Sequence, residues 1–495
     1  MKKSLLKNSI FLAGYKLLAI LFPLITSMYV SRILNAEGVG KVALAQNIVS
    51  YFVVFANLGI PTYGTREIAK ASNNQKKCNK VFSELFIINL ISTSICLAMY
   101  YFAILGFESF ENDLKLYLVV SITLILNIFN VDWFYQGKEE YVYITVRSFI
   151  VKVVSLLALF IFVKDIDDYI IYALINCLAV AVNYIFNVIN LRKYVKLTIK
   201  NLDLKHHLRF ILILFSTSLA VELYTQLDTT MLGFISGNEE VGYYSYAIKL
   251  IKIVTSIITA VSTILLPRLS YCHVNHLMDE FKDLCNKALK VVVTFSIPAT
   301  IGIVFVADGM VRILFGNEFI PSIGILRILS PLIVILAVGN LFGSLILVAI
   351  NKEKHLFYTT LMGAISNICM NSFLIPMYGG KGAAIASVIS ELIVMIAQYW
   401  FVRKDVKLTF TKSFVYSVVA TNIAMTIGII LVSYVTNNML LKMLLQIITG
   451  VIIYVVIGVI TKNDIVFEIC NKFKIIEIGK KGINFIFFKF GYDKI

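Results

Sequence analysis

Charge is what this chain is short of. Only 15% of its 495 residues are Asp, Glu, Lys or Arg, while 59% are hydrophobic. A soluble domain carries about 25% charged and about 45–50% apolar residues, so the charge here cannot cover a water-facing surface of this size. Proline is scarce as well, at seven residues, and no long polar stretch occurs. That excludes a disordered or multi-linker chain. The five histidines form no HExxH or comparable spacing and the seven cysteines form no CxxC pair, which excludes the ordinary zinc patterns. Apolar length is what the chain has in excess, with a mean hydropathy of +0.84. The composition describes an all-α polytopic membrane protein, because helices satisfy their own backbone in hydrocarbon.

Crossing about 30 Å of hydrocarbon takes roughly 20 apolar residues. Fourteen such runs occur: 8–30, 41–63, 83–105, 116–136, 145–164, 169–190, 210–234, 241–266, 290–307, 322–350, 357–377, 382–402, 413–436 and 440–461. The first is too long and too internal for a cleaved leader. A net charge of +16 invites a nucleic-acid reading, but position decides against it. With the N-terminus inside, and cations in the first or last three residues of a run counted with the adjoining loop, 33 of the 45 Lys and Arg fall in cytoplasmic segments, 7 in outer loops and 5 within spans. Positive loops stay cytoplasmic, so the expectation is a multi-pass protein with both termini inside. No cysteine falls in an outer loop, and no disulfide framework is implied. His206 and His207 adjoin a basic loop and read as solvated.

Val39-Gly40 precedes Arg66 by 26 residues, and Val241-Gly242 precedes Arg268 by the same 26. Lys138-Glu139 matches Lys352-Glu353, and Leu191-Arg192-Lys193 matches Val402-Arg403-Lys404, in the same order. A duplication of six spans follows. Because six is even, the copies run parallel, which places a substrate site between two halves. The expected domains are a six-helix lobe over 1–200, a second over 201–406, an extra helix pair over 407–461 and a basic interfacial tail over 462–495.

Ionisable groups inside hydrocarbon cost roughly 2.5–3.5 kcal/mol each on insertion scales, so each wants a reason. The intramembrane cations are Lys16, Lys152, Lys249, Lys252 and Arg327; Arg327 lies near an outer end and can snorkel. In span eight, Gly242, Ser245, Lys249, Lys252, Ser256, Thr259 and Thr263 share one helical stripe. Two lysines a turn apart want an anion, from the protein or from a substrate. Glu222 shares a face of span seven with Ser218, Thr225 and Thr229, and Asp228 flanks it. An ion pair between Glu222 and Lys252 and a role in holding a coupling cation are both open. Span one carries Ser9, Lys16, Pro23 and Ser27 on one face, and span two carries Gln46, Ser50, Asn57 and Pro61. Asp165, Asp167 and Asp168 crowd a short outer loop and read as a helix cap.

Val131-Asp132-Trp133-Phe134-Tyr135-Gln136-Gly137-Lys138-Glu139, followed by Tyr143-Ile144-Thr145 and Lys152, resembles a signature of the Wzx-type bacterial polysaccharide flippases. These belong to the superfamily that also contains multidrug and toxic-compound extrusion (MATE) transporters. Pro376-Met377-Tyr378-Gly379-Gly380-Lys381-Gly382-Ala383-Ala384-Ile385-Ala386 is similar to a second family segment. Ser31-Arg32-Ile33-Leu34 with Glu37-Gly38-Val39-Gly40 is similar to a third. The likeness runs over essentially the whole chain, including the span count.

The resemblance implies a MATE-like fold and transport of an undecaprenyl-diphosphate-linked oligosaccharide from the inner to the outer leaflet by alternating access. Under that reading Lys16, Lys249 and Lys252 supply cations for the pyrophosphate, and Gln46, Ser50, Asn57, Ser245, Ser256 and Thr259 supply partners for sugars. Glu222 and Asp228 hold a coupling ion or form ion pairs. No cofactor is expected, with proton or sodium coupling left open. The expected partners are the lipid-linked oligosaccharide, membrane lipid, and the polymerase and glycosyltransferases of the same pathway. A monomer in the bacterial cytoplasmic membrane is expected. Two alternatives compete: a cation-coupled multidrug exporter of the same fold, and a membrane-embedded glycosyltransferase or polymerase. The exporter wants a carboxylate-rich cleft; the enzyme wants a positioned acid and an outer domain that the short loops do not provide.

Overall fold

The computed structural model describes residues 22–199 and 202–472, and every regular element among them is helical. The first is α1 (22–30). Then come α2 (Asn35–Asn57), α3 (Ile60–Ala71), α4 (Gln75–Gly106), α5 (Leu114–Leu126), α6 (Asp132–Gly137), α7 (Tyr141–Phe162) and α8 (Tyr169–Leu191). Next are α9 (Leu204–Ser236), α10 (Asn238–Val274), α11 (Met278–Phe315), α12 (Pro321–Leu329) and α13 (Leu332–Asn340), the last continued by a π-helical stretch, Leu341–Leu347. The series ends with α14 (Glu353–Val402), α15 (Lys412–Val432), α16 (Met439–Ile460) and α17 (Asp464–Lys472).

Twelve helical stretches among the described residues are long and apolar enough to cross a membrane. Two predicted spans share one of them. α14 has 50 residues, about 75 Å if straight at 1.5 Å per residue, more than twice the hydrocarbon thickness. It bends back at Gly379, where φ is 55° and ψ is −132°. A Cβ on Gly382 would lie 2.0 Å from the carbonyl oxygen of Leu374, eight residues earlier and about 12 Å away in a straight helix. Both 357–377 and 382–402 therefore lie within α14. Predicted span 8–30 is described over 22–30 alone, so Ser9 and Lys16 lie outside the described residues. The tail beyond residue 472 lies outside them too.

Polar residues mark the helix starts. Asn74 accepts from the Lys77 amide, Asp203 from His206, Thr411 from Phe414 and Asn438 from Leu441, each satisfying an amide that has no partner in the first turn. The Asp165–Asp168 loop closes as a reciprocal capping box, as its sequence suggested. One break was not foreseen: predicted span 41–63 is interrupted by Leu58 and Gly59, at φ 48° and 77°. A side chain on Gly59 would strike the Phe215 amide at 2.7 Å. Pro61 then sits in the first turn of α3, where its missing N–H costs nothing.

The chain packs as two compact units. One comprises Met1–Tyr246, Leu314–Ile325 and Thr360–Ser387; the other comprises Ala247–Ile313, Leu326–Thr359 and Val388–Ile495. Phe82, Trp133, Phe134 and Tyr135 centre one core of the first unit, and Tyr100, Tyr117, Leu124 and Ala45 centre another. Met425, Ile429, Tyr454, Val466 and Cys470 form a core in the second. Outward faces are apolar: on α7, Val154 and Ile161 are 59% and 58% exposed, as a helix solvated by lipid requires. α17 is tied to α11 by ion pairs from Lys287 to Glu468 and from Lys290 to Asp464.

Candidate functional site

Of the predicted stripes, Gly242 on α10 and Ser27 on α1 are buried, and the remaining described residues of the α10 stripe lie on its less covered face. On α10 the protein-packed stripe is Ala247, Ile251, Thr255, Ile258 and Ser262. Ser245, Lys249, Ser256 and Thr259 are half-buried and Lys252 is exposed. Ser256 Oγ donates to the Ile253 carbonyl at 2.7 Å and Thr259 Oγ1 to the Thr255 carbonyl at 3.0 Å. These hydroxyls keep acceptor capacity for an incoming group. On α2, Gln46 is exposed while Ser50 and Asn57 are half-buried. The neighbouring polar residues were missed. Asn47 is buried and its Nδ2 donates to the Gln226 carbonyl at 3.0 Å. Tyr51 OH lies 2.9 Å from Thr230 Oγ1. Together they fasten α2 to α9. Glu222, on α9, accepts from Gln226 Nε2 at 3.3 Å.

Asp228 is the centre of a polar cluster. Its Oδ1 accepts from Asn367 Nδ2 at 2.8 Å and Asn371 Nδ2 at 2.7 Å. Its Oδ2 accepts from Tyr244 OH at 2.8 Å and lies 2.6 Å from Ser387 Oγ. All five side chains are buried. Four such contacts offset much of the desolvation cost of a carboxylate placed among apolar helices. The amide of Asn371 also donates to Asn367 Oδ1 at 2.9 Å, and Asn371 Oδ1 itself has no hydrogen-bond partner. As it stands the carboxylate faces N–H and O–H donors, and a cation would meet oxygen ligands there only once the carboxamides of Asn367 and Asn371 turned their oxygens inward. The members of the cluster come from α9, α10 and both limbs of α14.

The 131–139 segment is a joint between helices. Trp133 lies on Gly64 of α3 so closely that a Cβ there would be 2.4 Å from the indole. Tyr135 OH donates to the Asn187 carbonyl at 2.6 Å. Asp132 Oδ1 takes Arg147 Nη2 at 2.9 Å and Asn187 Nδ2 at 2.6 Å. Arg147, counted from sequence with the loop 137–147, is instead a buried cation in the second turn of α7. His207 is also corrected. It is 4% exposed rather than solvated, with Nε2 2.8 Å from Glu84 Oε2 and Nδ1 2.9 Å from Tyr63 OH. Its neighbours, on α3 and α4, lie more than 120 residues away in sequence, so no local signal betrayed them. In the glycine-rich segment, the Gly380 amide donates to Glu240 Oε2 at 2.6 Å. That carboxylate occupies the space a side chain on Gly379 or Gly380 would need.

Lys152 is half-buried, with its ammonium 5.6 Å from the Phe22 ring centroid. Arg327 is exposed and its Nε donates to the Val304 carbonyl of α11 at 3.2 Å.

Known proteins resemble this chain over most of its length. A putative O-antigen transporter of Shigella dysenteriae is 26% identical over 394 residues, covering 78% of this chain and 96% of that protein. The capsular polysaccharide biosynthesis protein CapF of Staphylococcus aureus is 25% identical over 413 residues, covering 81% of this chain and all of CapF. The lipid II flippase MurJ, in an inward closed conformation, shares the fold with a TM-score of 0.75 at 17% identity, covering 93% of this chain and 100% of that one. An inward-facing MATE family multidrug transporter follows at a TM-score of 0.63 and 16% identity, covering 78% and 93%. The all-helical, MATE-like architecture expected from sequence is thus present. The model of the polysaccharide biosynthesis protein family matches residues 5–273, and the chain belongs to that family.

Proposed function

We propose that this protein is a flippase that moves a lipid-linked oligosaccharide, carried on undecaprenyl diphosphate, from the inner to the outer leaflet of the bacterial cytoplasmic membrane. The observation that carries the reading is a match to 96% of the length of a putative O-antigen transporter, in a chain of the polysaccharide biosynthesis protein family. The chemistry on α10 supports it: Lys249 and Lys252 lie a turn apart on a stripe that also carries hydroxyls. A diphosphate wants such cations and sugars want such hydroxyls. An apolar groove of about 310 Å³ between α11, α15 and α16, lined by Phe295, Pro298, Gly302, Met425, Gly450 and Val451, suits an isoprenoid tail.

Two parallel six-helix lobes, 1–200 and 201–406, rock about the head group. The Asp228 cluster holds the coupling cation, a proton or sodium, and Glu222 on the same helix assists it. The protein changes no covalent bond of its cargo. It works as a monomer with both termini cytoplasmic, beside the glycosyltransferases and polymerase that make and use the repeat unit.

The test is genetic and chemical together. Cells lacking this protein should lose surface glycan and accumulate the complete lipid-linked repeat unit, unchanged in mass, on the inner leaflet. Normal display in those cells overturns the reading. Accumulation of a truncated repeat unit instead points to the glycosyltransferase alternative.

A further inference from the structure

The two internal segments with the most cations, 64–82 and 191–209, are stitched together by one face of α4. Gln75 Nε2 donates to the Tyr194 carbonyl at 2.5 Å. Asn79 Oδ1 accepts from the Lys196 amide at 3.2 Å, and Ser83 Oγ accepts from the Thr198 amide at 2.9 Å. Positions 75, 79 and 83 recur every four residues and so form a single stripe. Next to that stripe, Glu84 Oε1 accepts from the Asp203 amide at 2.7 Å. The non-helical residues 195–199 are thereby held along the first turns of α4 as a strap.

Lys76, Lys77 and Lys80 on α4 and Arg192, Lys193 and Lys196 beside or on the strap are all exposed. Of these six, Lys80 makes the one ion pair found among the described residues, 3.8 Å from Glu84. At the edge of this surface stand Leu197 and Ile199, 62% and 85% exposed. The positive-inside rule alone predicts lysines in cytoplasmic loops. It does not predict two loops hydrogen-bonded into one surface, or two large apolar side chains left outside it.

The cations call for an anion, and Leu197 and Ile199 call for an acyl boundary beside it. A phosphoprotein or nucleic acid would use the first and waste the second. We propose that the strap and the first turns of α4 form a docking surface for anionic phospholipid of the cytoplasmic leaflet, with lysines on the phosphates and Leu197 and Ile199 seated at the acyl boundary.

The experiment is hydrogen exchange on the full chain in nanodiscs of phosphatidylcholine alone and of phosphatidylcholine with roughly a quarter phosphatidylglycerol. Exchange over residues 192–199 should be about fivefold slower in the anionic discs. The variant K76Q/K77Q/K193Q/K196Q should lose that difference while α2 exchanges as in the unmodified protein. Should the variant fail to fold, the unmodified protein in high salt provides the second arm, since screening should erase the lipid effect. Equal exchange in the two discs overturns the proposal, as does a difference that survives both the variant and salt. Inorganic pyrophosphate giving the same protection in phosphatidylcholine discs overturns it in favour of a diphosphate site.

Discussion

Gly40 of α2 and Gly242 of α10 cross backbone to backbone, and the contact is reciprocal. A Cβ on Gly40 would fall 1.7 Å from the Asn238 carbonyl oxygen, and one on Gly242 would fall 2.1 Å from that of Ala36. The two glycines are 202 residues apart, as are Ala36 and Asn238. Each glycine therefore touches the counterpart of the residue that its own counterpart touches. That is the self-complementary pattern a two-fold relation produces at its axis, and it falls on the Val-Gly pair that marked the duplication in sequence.

Alanine at either glycine should therefore be badly tolerated, because the obstruction is backbone and cannot rotate away. G40A and G242A should each lower stability by about 1–3 kcal/mol, the usual cost of overpacking. G106A should change nothing, since open space surrounds a Cβ there. Thermal unfolding of purified protein in detergent measures all three. A neutral G40A would show that the helices can separate at this point without penalty.

Arg147 and Asp132 make a second prediction. The Arg147 side chain is 5% exposed and that of Asp132 is 30% exposed, so D132A strands a buried guanidinium. The loss should be about 3 kcal/mol, with lower membrane yield and earlier melting. D132N keeps an oxygen for the Arg147 and Asn187 hydrogen bonds and should recover part of it. Equal melting of D132A and the unmodified protein would mean that Asn187 alone suffices.

Orientation is open to direct labelling. Cysteines placed at Asn112 and Asn438, both exposed, should react with a membrane-impermeant thiol reagent in intact cells. Cysteines at Asn74 and Asn351 should react only after lysis. Background should be low, because six of the seven native cysteines are buried and Cys369 lies within a predicted span. Labelling of Asn74→Cys in intact cells would invert the topology.

What was legible in the sequence was whatever depends on local pattern. Apolar runs located the spans, the acids at 165, 167 and 168 read as a helix cap, and repeated dipeptides led to Gly40 and Gly242. The rest depends on partners brought together by folding. Asp228 is a lone acid in sequence, and its amide and hydroxyl partners on α14 lie 139 to 159 residues away. His207 follows a basic loop, so its neighbours suggested water; Tyr63 and Glu84 remove it from water. Arg147 stands where an apolar run begins, and nothing local says whether the first turn is wet or buried. The Leu58–Gly59 break is hidden because the residues around it are as apolar as those of an unbroken span.

Asp228 separates packing from coupling. D228N presents an amide to four groups arranged around a carboxylate, and loss of a charged acceptor should cost about 1–3 kcal/mol. If the cluster holds the coupling cation, D228N and N371A should abolish the response of glycan display to the sodium or proton gradient at matched protein levels. Variants that lose stability but keep the same gradient response would reduce the cluster to a structural brace.

The last prediction concerns Lys249 and Lys252. A diphosphate carries at least two negative charges, and one ammonium cannot balance them where water is scarce. Two cations a turn apart on the stripe can. K252A should therefore stop surface glycan display while the protein still inserts at normal levels. K252R keeps the charge but changes its shape and should retain part of the activity. The competing account makes Lys252 the partner of Glu222 and gives it no cargo. Under that account E222Q/K252Q restores display lost in either single variant, since a neutral pair still packs. Under the cargo account the double variant stays inactive, because the cation that meets the diphosphate is gone. Display measured in that double variant decides between them, and recovery would remove Lys252 from the binding site.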